Sequence, residues 1–280
     1  MSSYANSLGV SGGGVLLLRD LIHDRTGIFY EDSRSELLLD KVSPLVVERG
    51  LSSLLDYYYV LKYDAEAEME WQKVMNALSV PETFFWRSIE HIQAMVDTLV
   101  PRHFSVPGAE PLRIWSAACS TGEEPLTIAM ALNEKRWFDR APIEILASDA
   151  SSSAIQKARI GVYRERSFRN LSAPIRAKYF METGDNLWRI APAIHSKVKW
   201  WTANLTVESD IRALATANII FCRNVFIYFS EKSIARTLST FYRLMPVPAY
   251  LFVAAAELSM KLAKDFELIE IGGALGYVKR

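Results

Sequence analysis

The sequence predicts an α/β protein in which a mostly parallel sheet, covered by helices on both faces, follows a small all-helical domain. Residues 15–79 show helical spacing of apolar side chains and no strand pattern. From residue 112 onward, short apolar runs alternate with helical patterns, which is typical of a parallel sheet. A chain of 280 residues is long enough to bury a core in both parts.

Four helices are expected in the first part, after a Ser/Gly-rich start at residues 1–14 that we expect to be mobile. The helical patterns lie around residues 16–22 and 37–45 and over residues 51–61 and 65–78. Asp32 or Ser33 is expected as the N-cap of the second helix. Gly27 and Gly50 stand where helices should end.

A turn-rich segment separates the two parts. Residues 100–111 contain three prolines and one glycine, which predict a linker. Strands are expected after it at residues 112–117, 143–147, 217–222, 249–255, 266–271 and 276–279, and helices at residues 123–136, 151–160 and 231–245. Residues 161–203 break this rhythm, because their short alternating pieces at 188–190 and 198–200 predict a small antiparallel insertion.

Composition narrows the class of protein. The 32 basic residues equal the 32 acidic ones, so the net charge of zero gives no global attraction to nucleic acid or to anionic lipid. The first 14 residues lack the charged and apolar regions of a signal peptide, and the apolar runs are too short to span a bilayer. Two cysteines and four histidines at scattered positions predict neither a disulfide framework nor a metal site. We therefore expect a cytoplasmic monomer without nucleic-acid binding or membrane insertion.

The end of the first strand carries a turn suited to a nucleoside ligand. Residues 116–125 read Ser-Ala-Ala-Cys-Ser-Thr-Gly-Glu-Glu-Pro, and the helix that follows offers unpaired N–H groups. Gly122 is the single glycine, so this is not the dinucleotide fingerprint of NAD enzymes. Glu123 and Glu124 would repel a pyrophosphate, which favours a cationic or zwitterionic ligand. The alternative is that both glutamates only complement the helix dipole.

Two later strands also end in polar residues, and ligands of open α/β sheets bind beyond such strand ends. Asp149 lies where adenosine-binding folds hold ribose hydroxyls, although an N-cap role would explain it equally well. The third of these strands is followed by Arg223 and Asn224 and then by an aromatic-rich run to Phe229. Such a sequence is unusual for a core, so we expect Arg223 and Asn224 at the rim of a cleft.

The chain resembles the CheR-type chemotaxis receptor methyltransferases from about residue 15 to its end. The resemblance is carried, in order, by residues 83–87 (Thr-Phe-Phe-Trp-Arg), 115–125, 147–149, 158–163, 204–205 and 221–229. It implies a Rossmann-like class I methyltransferase domain at residues 112–280, dependent on S-adenosylmethionine. It also implies a β-subdomain inserted at about residues 161–203 that touches the receptor, and an all-α domain whose end, up to residue 99, begins the cofactor site.

The same resemblance implies methyl transfer from S-adenosylmethionine to glutamate side chains of a methyl-accepting chemotaxis receptor or similar signalling protein, giving S-adenosylhomocysteine. The implied cofactor-binding residues are Thr83, Arg87, Ala117, Glu123, Asp149, Asn204, Leu205, Arg223 and Asn224, and the implied catalytic residues are Tyr228 and Arg223. Arg87 would pair with the methionine carboxylate, Glu123 would approach the amino-acid portion, and Asp149 would hold the ribose. Tyr228 would lie beside the methyl group and the incoming glutamate.

The chain departs from the family's pattern at three places. Pro81 stands where the family usually has Asn, so the side chain there cannot hydrogen-bond the cofactor. Residues 254–256 are alanines where the family commonly reads Gly-His-Ser, and only the following Glu257 is kept. The helix around residues 33–49, often basic in relatives, has as many acidic as basic side chains. Two alternatives therefore stay open: a cofactor-binding regulatory module without turnover, and a methyltransferase for another protein or a small acid.

The expected chemistry needs little from acid–base groups. A glutamate with a pKa of about 4.3 is already ionised at neutral pH, so the enzyme must mainly align the reactants, which is worth about 7–11 kcal/mol. We expect Tyr228 to orient the carboxylate, the alternative being a packed aromatic. Trp188, Trp200 and Trp201 are expected either to form the core of the insertion or to lie where one of its edges pairs with a partner strand.

Overall fold

The computed structural model describes residues 12–258 and 264–280. The predicted α/β architecture is confirmed: an all-helical part precedes a seven-stranded, mostly parallel sheet, and a separate three-stranded antiparallel sheet is present. Within the described residues, no helix combines the length and apolarity that crossing a membrane requires.

The helical part contains four helices: α1 (Gly12–Thr26), α2 (Ser35–Glu48), α3 (Leu54–Tyr63) and α4 (Ala67–Leu78). Their apolar faces meet in one core that includes Leu18, Ile22, Val42, Tyr57 and Val74. Gly27 and Gly50 follow α1 and α2 with positive φ angles of 77° and 74°, as predicted for helix ends.

Two predictions for this part need correction. Residues 12–14 belong to α1 and are not a mobile start; residues 1–11 lie outside the described residues. The N-cap of α2 is Arg34, because a 3₁₀ turn (Asp32–Arg34) precedes the helix. Asp32 does not cap α2, since its carboxylate pairs with Arg19 of α1.

The predicted linker is helical over its first five residues. α5 (Ile89–Ala94), a π-helical turn (Met95–Leu99) and α6 (Val100–Phe104) follow one another without a break. The backbone N–H of Val100 bonds to the carbonyl of Met95, which is the wide spacing of a π turn. This widening just before Pro101 accommodates the missing N–H of the proline, so the helix ends only at Phe104.

The remaining elements follow in chain order. They are β1 (Leu112–Ala117), α7 (Glu123–Glu134), β2 (Ile143–Asp149), α8 (Ser152–Ile160), β3 (Val162–Arg164), α9 (Ala173–Tyr179), β4 (Phe180–Gly184), β5 (Leu187–Ile190), α10 (Pro192–His195), β6 (Val198–Thr202), α11 (Glu208–Ile211), β7 (Ile219–Cys222), α12 (Glu231–Leu244), β8 (Ala249–Phe252), β9 (Glu267–Ile271) and β10 (Ala274–Lys279).

The large sheet has the strand order β6-β2-β1-β7-β8-β10-β9. Its first five strands pair in parallel, whereas β10 is antiparallel to both of its neighbours. Separate apolar cores cover the two faces of the sheet. The chain leaves β1 toward β2 on one side and later enters β7 on the other, so a crevice is expected at the carboxyl ends of these strands.

The insertion is smaller than predicted. The three-stranded sheet has the order β3-β5-β4 and uses no residue beyond Ile190. The sequence pattern places residues 198–202 in the insertion, but β6 pairs in parallel with β2 at the edge of the large sheet. An edge strand with one exposed face has the same alternation as an antiparallel strand, so the pattern could not separate the two. Trp200 and Trp201 therefore lie on the large sheet.

Trp188 alone of the three tryptophans belongs to the small sheet. Its half-buried ring packs edge-on against Phe168, and the guanidinium of Arg176 lies 3.9 Å from its centroid. These contacts support the core role for Trp188.

Candidate functional site

A cavity of about 350 Å³ lies at the carboxyl ends of β1, β2 and β7, a volume within the range of small-molecule sites. We call its lining from residues 118–120, 149–151, 203–205 and 223–229 the floor, because these loops follow the sheet strands. We call its lining from residues 26–41 and 75–87 the cover, because these residues belong to the helical part and the segment after it.

The structure brings eight of the ten predicted site residues together. Those that line the cavity are Thr83, Arg87, Asp149, Asn204, Leu205, Arg223, Asn224 and Tyr228. Ala117 and Glu123 do not line it. Ala117 is buried within β1 with Ala118 at the surface of the cavity beyond it, and Glu123 points away.

Glu123 and Glu124 have different environments. The Glu123 carboxylate accepts hydrogen bonds from the hydroxyls of Thr121 (2.7 Å) and Ser167 (2.9 Å), and burial raises its pKa. Glu124, one residue further along α7, lines the cavity. Consecutive helical residues point about 100° apart, so only one of them faces the ligand space. The acid that the sequence placed at Glu123 is therefore supplied at the cavity by Glu124.

Glu124 forms a buried ion pair with Arg223. Its Oε1 accepts from the Ser116 hydroxyl at 2.6 Å, and its Oε2 lies 3.4 Å from Nε of Arg223. The Arg223 side chain is 2% exposed, and its Nη2 donates to the Arg87 carbonyl at 2.7 Å. The Nε atom of Arg223 is buried without a hydrogen-bond partner in the structure. A buried donor of this kind suits a ligand acceptor.

Arg87 is a second cation at the cavity. Its guanidinium donates to the Glu82 carbonyl at 2.8 Å and lies 5.5 Å from the centroid of Phe84. Burial lowers the pKa of Arg87, and the neighbouring Arg223 acts in the same direction. Two guanidinium groups held close together favour an anion between or beside them, and Arg binds carboxylates with two parallel hydrogen bonds.

Asp149 connects two floor loops. Its carboxylate accepts from the backbone N–H of Ser120 at 2.8 Å and from that of Ser151 at 2.9 Å. Burial raises the pKa of Asp149, while these donors oppose the shift. Beside it, the hydroxyl of Ser120 lines the cavity and is buried without a partner. A carboxylate next to a free hydroxyl suits the diol of a ribose.

Glu257 holds the floor loop that follows β7 (residues 223–229), and it was not predicted as a site residue. Its carboxylate is 2% exposed and accepts from the backbone N–H groups of Ala254 (2.8 Å), Asn224 (3.0 Å) and Phe226 (2.9 Å). These bonds fix the turn at Asn224, whose φ is 61°. The sequence contained one indication of this role, because the acid is the only part of the Gly-His-Ser-Glu pattern that the chain keeps.

Backbone strain is concentrated around the cavity. The described part of the chain has eight non-glycine residues with positive φ, and five of them line the cavity or adjoin a lining residue: Trp86, Ser88, Ala118, Ser120 and Asn224. Such conformations cost free energy and gather at ligand sites. Gly122 has a φ of 95°, and a Cβ there would lie 2.8 Å from the Trp200 ring, so both conformation and space require glycine.

The helical part and the segment after it meet the floor at several places, among them the Arg223 bond to the Arg87 carbonyl and a bond from the Ser151 hydroxyl to the Asn76 side chain at 2.9 Å. The backbone N–H of Phe29 donates to the Tyr228 carbonyl at 2.8 Å, within an antiparallel bridge between Ile28 and Phe229. Asn204 donates through its side chain to the Arg25 carbonyl at 2.8 Å. The Asn204 side chain, which is expected to border adenine, therefore also fastens the cover.

Two tyrosines stand at the opening. Tyr228 is 38% exposed and lines the cavity. Burial raises the pKa of Tyr30, and the adjacent Tyr228 adds to the shift. A phenol hydroxyl can donate a hydrogen bond, so these side chains suit an incoming anion.

Neither cysteine has the environment of a nucleophile. Cys119 and Cys222 are buried, and burial raises the pKa of each thiol well above its ordinary value. Among the described residues, no group of three or more His, Cys, Asp or Glu side chains is arranged to hold a metal ion. The chemistry available from these side chains is binding, charge pairing and positioning.

Comparisons with known proteins agree with this geometry. Residues 81–273 match the family model described as CheR methyltransferase, SAM binding domain, and residues 15–79 match the one described as CheR methyltransferase, all-alpha domain. The chain is 31% identical over 263 residues to chemotaxis protein methyltransferase 2 of Vibrio cholerae, covering 93% of this chain and 91% of that protein. It is 32% identical to chemotaxis protein methyltransferase 2 of Pseudomonas aeruginosa, covering 86% and 84%. It is 30% identical to the chemotaxis protein methyltransferase of Salmonella typhimurium, covering 89% and 84%.

Proposed function

The chain belongs to the CheR methyltransferase family, and from that premise we propose that it methylates glutamate side chains of a chemotaxis receptor. It is an S-adenosylmethionine-dependent methyltransferase with the Rossmann-like fold that the resemblance implied. The receptor and its glutamates come from the names of the relatives, which are chemotaxis protein methyltransferases. We also propose that the protein is a cytoplasmic monomer and does not bind nucleic acid. Its net charge of zero is in keeping with the absence of nucleic-acid binding.

The residues of the cavity fit S-adenosylmethionine. Two buried polar atoms at the cavity, the Ser120 hydroxyl and Nε of Arg223, make no hydrogen bond within residues 12–258 and 264–280, although Nε also lies 3.4 Å from the Glu124 carboxylate; a polar ligand could satisfy them. Arg87 offers a cation for the ligand's carboxylate, and Asp149 offers acceptors for ribose hydroxyls. Pro81 does not line the cavity although Val80 and Glu82 do, so a proline at this position leaves the rest of the site in place.

The roles that we propose differ from the sequence-based ones at one residue. Glu124 replaces Glu123 as the acid near the amino-acid portion of the cofactor, because Glu124 lines the cavity and pairs with Arg223. Arg87 binds the carboxylate, Asp149 the ribose, and Leu205 borders the adenine together with Asn204. Arg223 and Asn224 close the pocket from the floor.

S-adenosylmethionine supplies an electrophilic methyl group on its sulfonium, and the protein must bring an ionised carboxylate in line with it. Tyr228 lies at the exposed side of the cavity, where its hydroxyl can donate to one oxygen of the glutamate and leave the other free to attack. The bridge between Ile28 and Phe229 brings the cover over this point and reduces access of water. Alignment, not acid–base catalysis, lowers the barrier.

The observation that carries the proposal is the convergence of Arg87, Asp149, Arg223 and Tyr228 in one cavity at the strand ends. It is tested by incubating the protein with S-adenosylmethionine labelled in the methyl group and a cytoplasmic receptor fragment. We expect label that is released as methanol by mild base, and mass spectra with methyl esters on glutamates. Label that resists base, or that lies on another residue type, would contradict the proposal.

An enzyme for a different protein is the second candidate, and the lack of excess positive charge around α2 favours it. Residues 31–49 contain three cations and five anions. A panel of receptor fragments and unrelated acidic proteins in the same assay distinguishes the two: esterification of receptors alone supports the first, and esterification of another protein at a higher rate supports the second.

A further inference from the structure

A basic segment follows β3, beside the cavity. Residues 164–178 contain five cations and one anion, although the chain as a whole is neutral. We call Arg164, Arg166 and Arg169 the arginine rim; all three side chains are exposed.

The arginine rim is fastened to the cover side of the cavity. The backbone N–H of Phe85 donates to the Ser167 carbonyl at 2.8 Å, which joins the rim segment to the residues after Thr83. Arg169 donates to the Glu82 carboxylate at 2.6 Å, and its guanidinium lies 3.7 Å from the centroid of Phe84. Glu82 and Phe84 both line the cavity, so Arg169 lies beside it, and Arg164 and Arg166 belong to the same exposed segment next to the cavity lining.

Two of the rim arginines have no counter-charge. Glu165, the single anion of the segment, is held by both Nη atoms of Arg176 at 2.8 Å. Arg169 is neutralised by Glu82. Neither Arg164 nor Arg166 has a carboxylate partner within residues 12–258 and 264–280. Two exposed guanidinium groups without a salt-bridge partner, two residues apart, therefore remain in the segment that Arg169 joins to the cavity lining.

The stretch at residues 31–49 has no such excess of cations. Of the three basic residues at residues 31–49, Lys41 donates to the Ala77 carbonyl and Arg49 is shared between Asp64 and Glu66. Arg34 faces the cavity, beside a helix in which anions outnumber cations. The positive potential that would attract an acidic partner is thus on the arginine rim and not on α2.

We propose that Arg164 and Arg166 dock an acidic stretch of the polypeptide substrate, next to the glutamate that enters the cavity. The proposal rests on glutamate methylation as the function. Guanidinium groups suit side-chain carboxylates because they bind them with paired hydrogen bonds. A methyl ester carries no charge, so each glutamate that is esterified, or is present as glutamine, weakens docking. The rim therefore favours unmodified substrate and releases modified product.

The test measures binding separately from turnover. The probe is a fluorescein-labelled peptide with the sequence of a methyl-accepting receptor helix, compared with the same peptide carrying Gln at every Glu position. The variant is Arg164→Gln with Arg166→Gln, which breaks no ion pair in the described structure. The control is Lys232→Gln with Arg236→Gln, an equal charge change at two exposed residues of α12 that also lack carboxylate partners there.

We expect the double rim variant to bind the Glu peptide about tenfold more weakly than the parent protein, with the control unchanged and the Gln peptide bound weakly by all. Equal affinity of parent and rim variant, or no binding by the parent, overturns the proposal. Preferential binding of single-stranded DNA of equal length at the rim also overturns it, since the partner would then be a nucleic acid. If the peptide binds in a way that depends on Arg164 and Arg166 but is never methylated, the docking proposal is supported. The proposed function is then contradicted instead.

Discussion

The floor and the cover of the cavity are held by different kinds of contact. Three of the four floor loops are fixed by a buried carboxylate: Asp149 joins the loops after β1 and β2 through backbone N–H groups, and Glu257 holds the loop after β7. The cover is joined by a short bridge at Ile28, by hydrogen bonds to the Arg25 carbonyl, by bonds between Asn76 and the Ser151 loop, and by the Arg223 bond to the Arg87 carbonyl. The floor carboxylates each bond several backbone groups, whereas the cover is joined by separate bonds that can be changed one at a time without unfolding the sheet.

This difference assigns different work to the two regions. Alignment of methyl group and carboxylate needs preorganised partners, and in the proposed mechanism these are Arg223 and Tyr228 of the floor. In our proposals, selection of the substrate belongs to the cover and the arginine rim, where exposed arginine side chains lie. Substitutions in the floor should therefore change stability and turnover, and substitutions in the cover should change binding.

The largest effect is expected from Glu257→Gln. The amide nitrogen of Gln cannot accept a hydrogen bond, so at least one of three buried backbone donors loses its partner. We expect the free energy of unfolding in urea to fall by about 3 kcal/mol. The control is Glu267→Gln, which removes an exposed pair with Arg280 and should cost about 0.5 kcal/mol. Similar small losses for both variants would mean that Glu257 does not hold the floor.

His91 of α5 lies near Arg223 of the floor, and the pH dependence of stability tests its environment. Burial lowers the pKa of His91 to about 4, and nearby Arg223 adds to the shift. The unfolded chain takes up the proton near pH 6.5, so the stability due to neutral His91 is complete above that pH and is lost as the pH falls toward 4. The free energy of unfolding of the parent protein should fall between pH 7.5 and 4.5. We expect this fall to be about 2 kcal/mol smaller in His91→Leu. Identical pH dependence in parent and variant would contradict this assignment.

Tyr228→Phe tests the catalytic edge of the floor. Without the hydroxyl the carboxylate loses its positioning donor, so kcat should fall about tenfold while the Kd for S-adenosylhomocysteine stays unchanged. Tyr242→Phe is the control, because that ring packs against Phe266 away from the cavity and should be neutral. Unchanged turnover in Tyr228→Phe would remove Tyr228 from the mechanism.

The smallest effect is expected in the cover, from Gly27→Ala compared with Gly50→Ala. Both glycines have left-handed φ angles, so both variants carry backbone strain of about 1 kcal/mol. A Cβ at Gly27 would also lie 2.7 Å from Cγ2 of Thr206, whereas a Cβ at Gly50 has open space. We expect about threefold weaker binding of S-adenosylhomocysteine for Gly27→Ala alone. Equal affinities would show that the cover does not support the cofactor site.

The sequence predicted most of the residues that line the floor, but few of the contacts that hold the floor loops in place. β1 has the predicted bounds, and the strand ends followed by polar residues pointed to Asp149, Arg223 and Asn224, which all line the cavity because parallel strands end at the same edge. Two neighbouring glutamates could not be assigned without the rotation of α7, so the pattern pointed to Glu123 where Glu124 faces the cavity. Which of the two glutamates faces the cavity is a local matter that the rotation of α7 about its axis decides.

Longer-range pairings could not be read from local patterns. Glu257 meets Asn224 across 33 positions of the chain, and no periodicity records that contact. The pairing of β6 with β2 likewise depends on which strand has an unpaired edge. The alternation of apolar and polar residues in β6 fits either sheet. The charge balance of the arginine rim required knowing that Arg176 neutralises Glu165.

The most direct test of the account is a calorimetric titration with S-adenosylhomocysteine, using the parent protein and Arg87→Gln. The cavity between floor and cover predicts one site per chain with micromolar or tighter affinity, about −8 kcal/mol or better, and at least about tenfold weaker binding for Arg87→Gln. No binding by the parent protein, or equal affinity in the two proteins, would contradict the assignment of this cavity as the cofactor site.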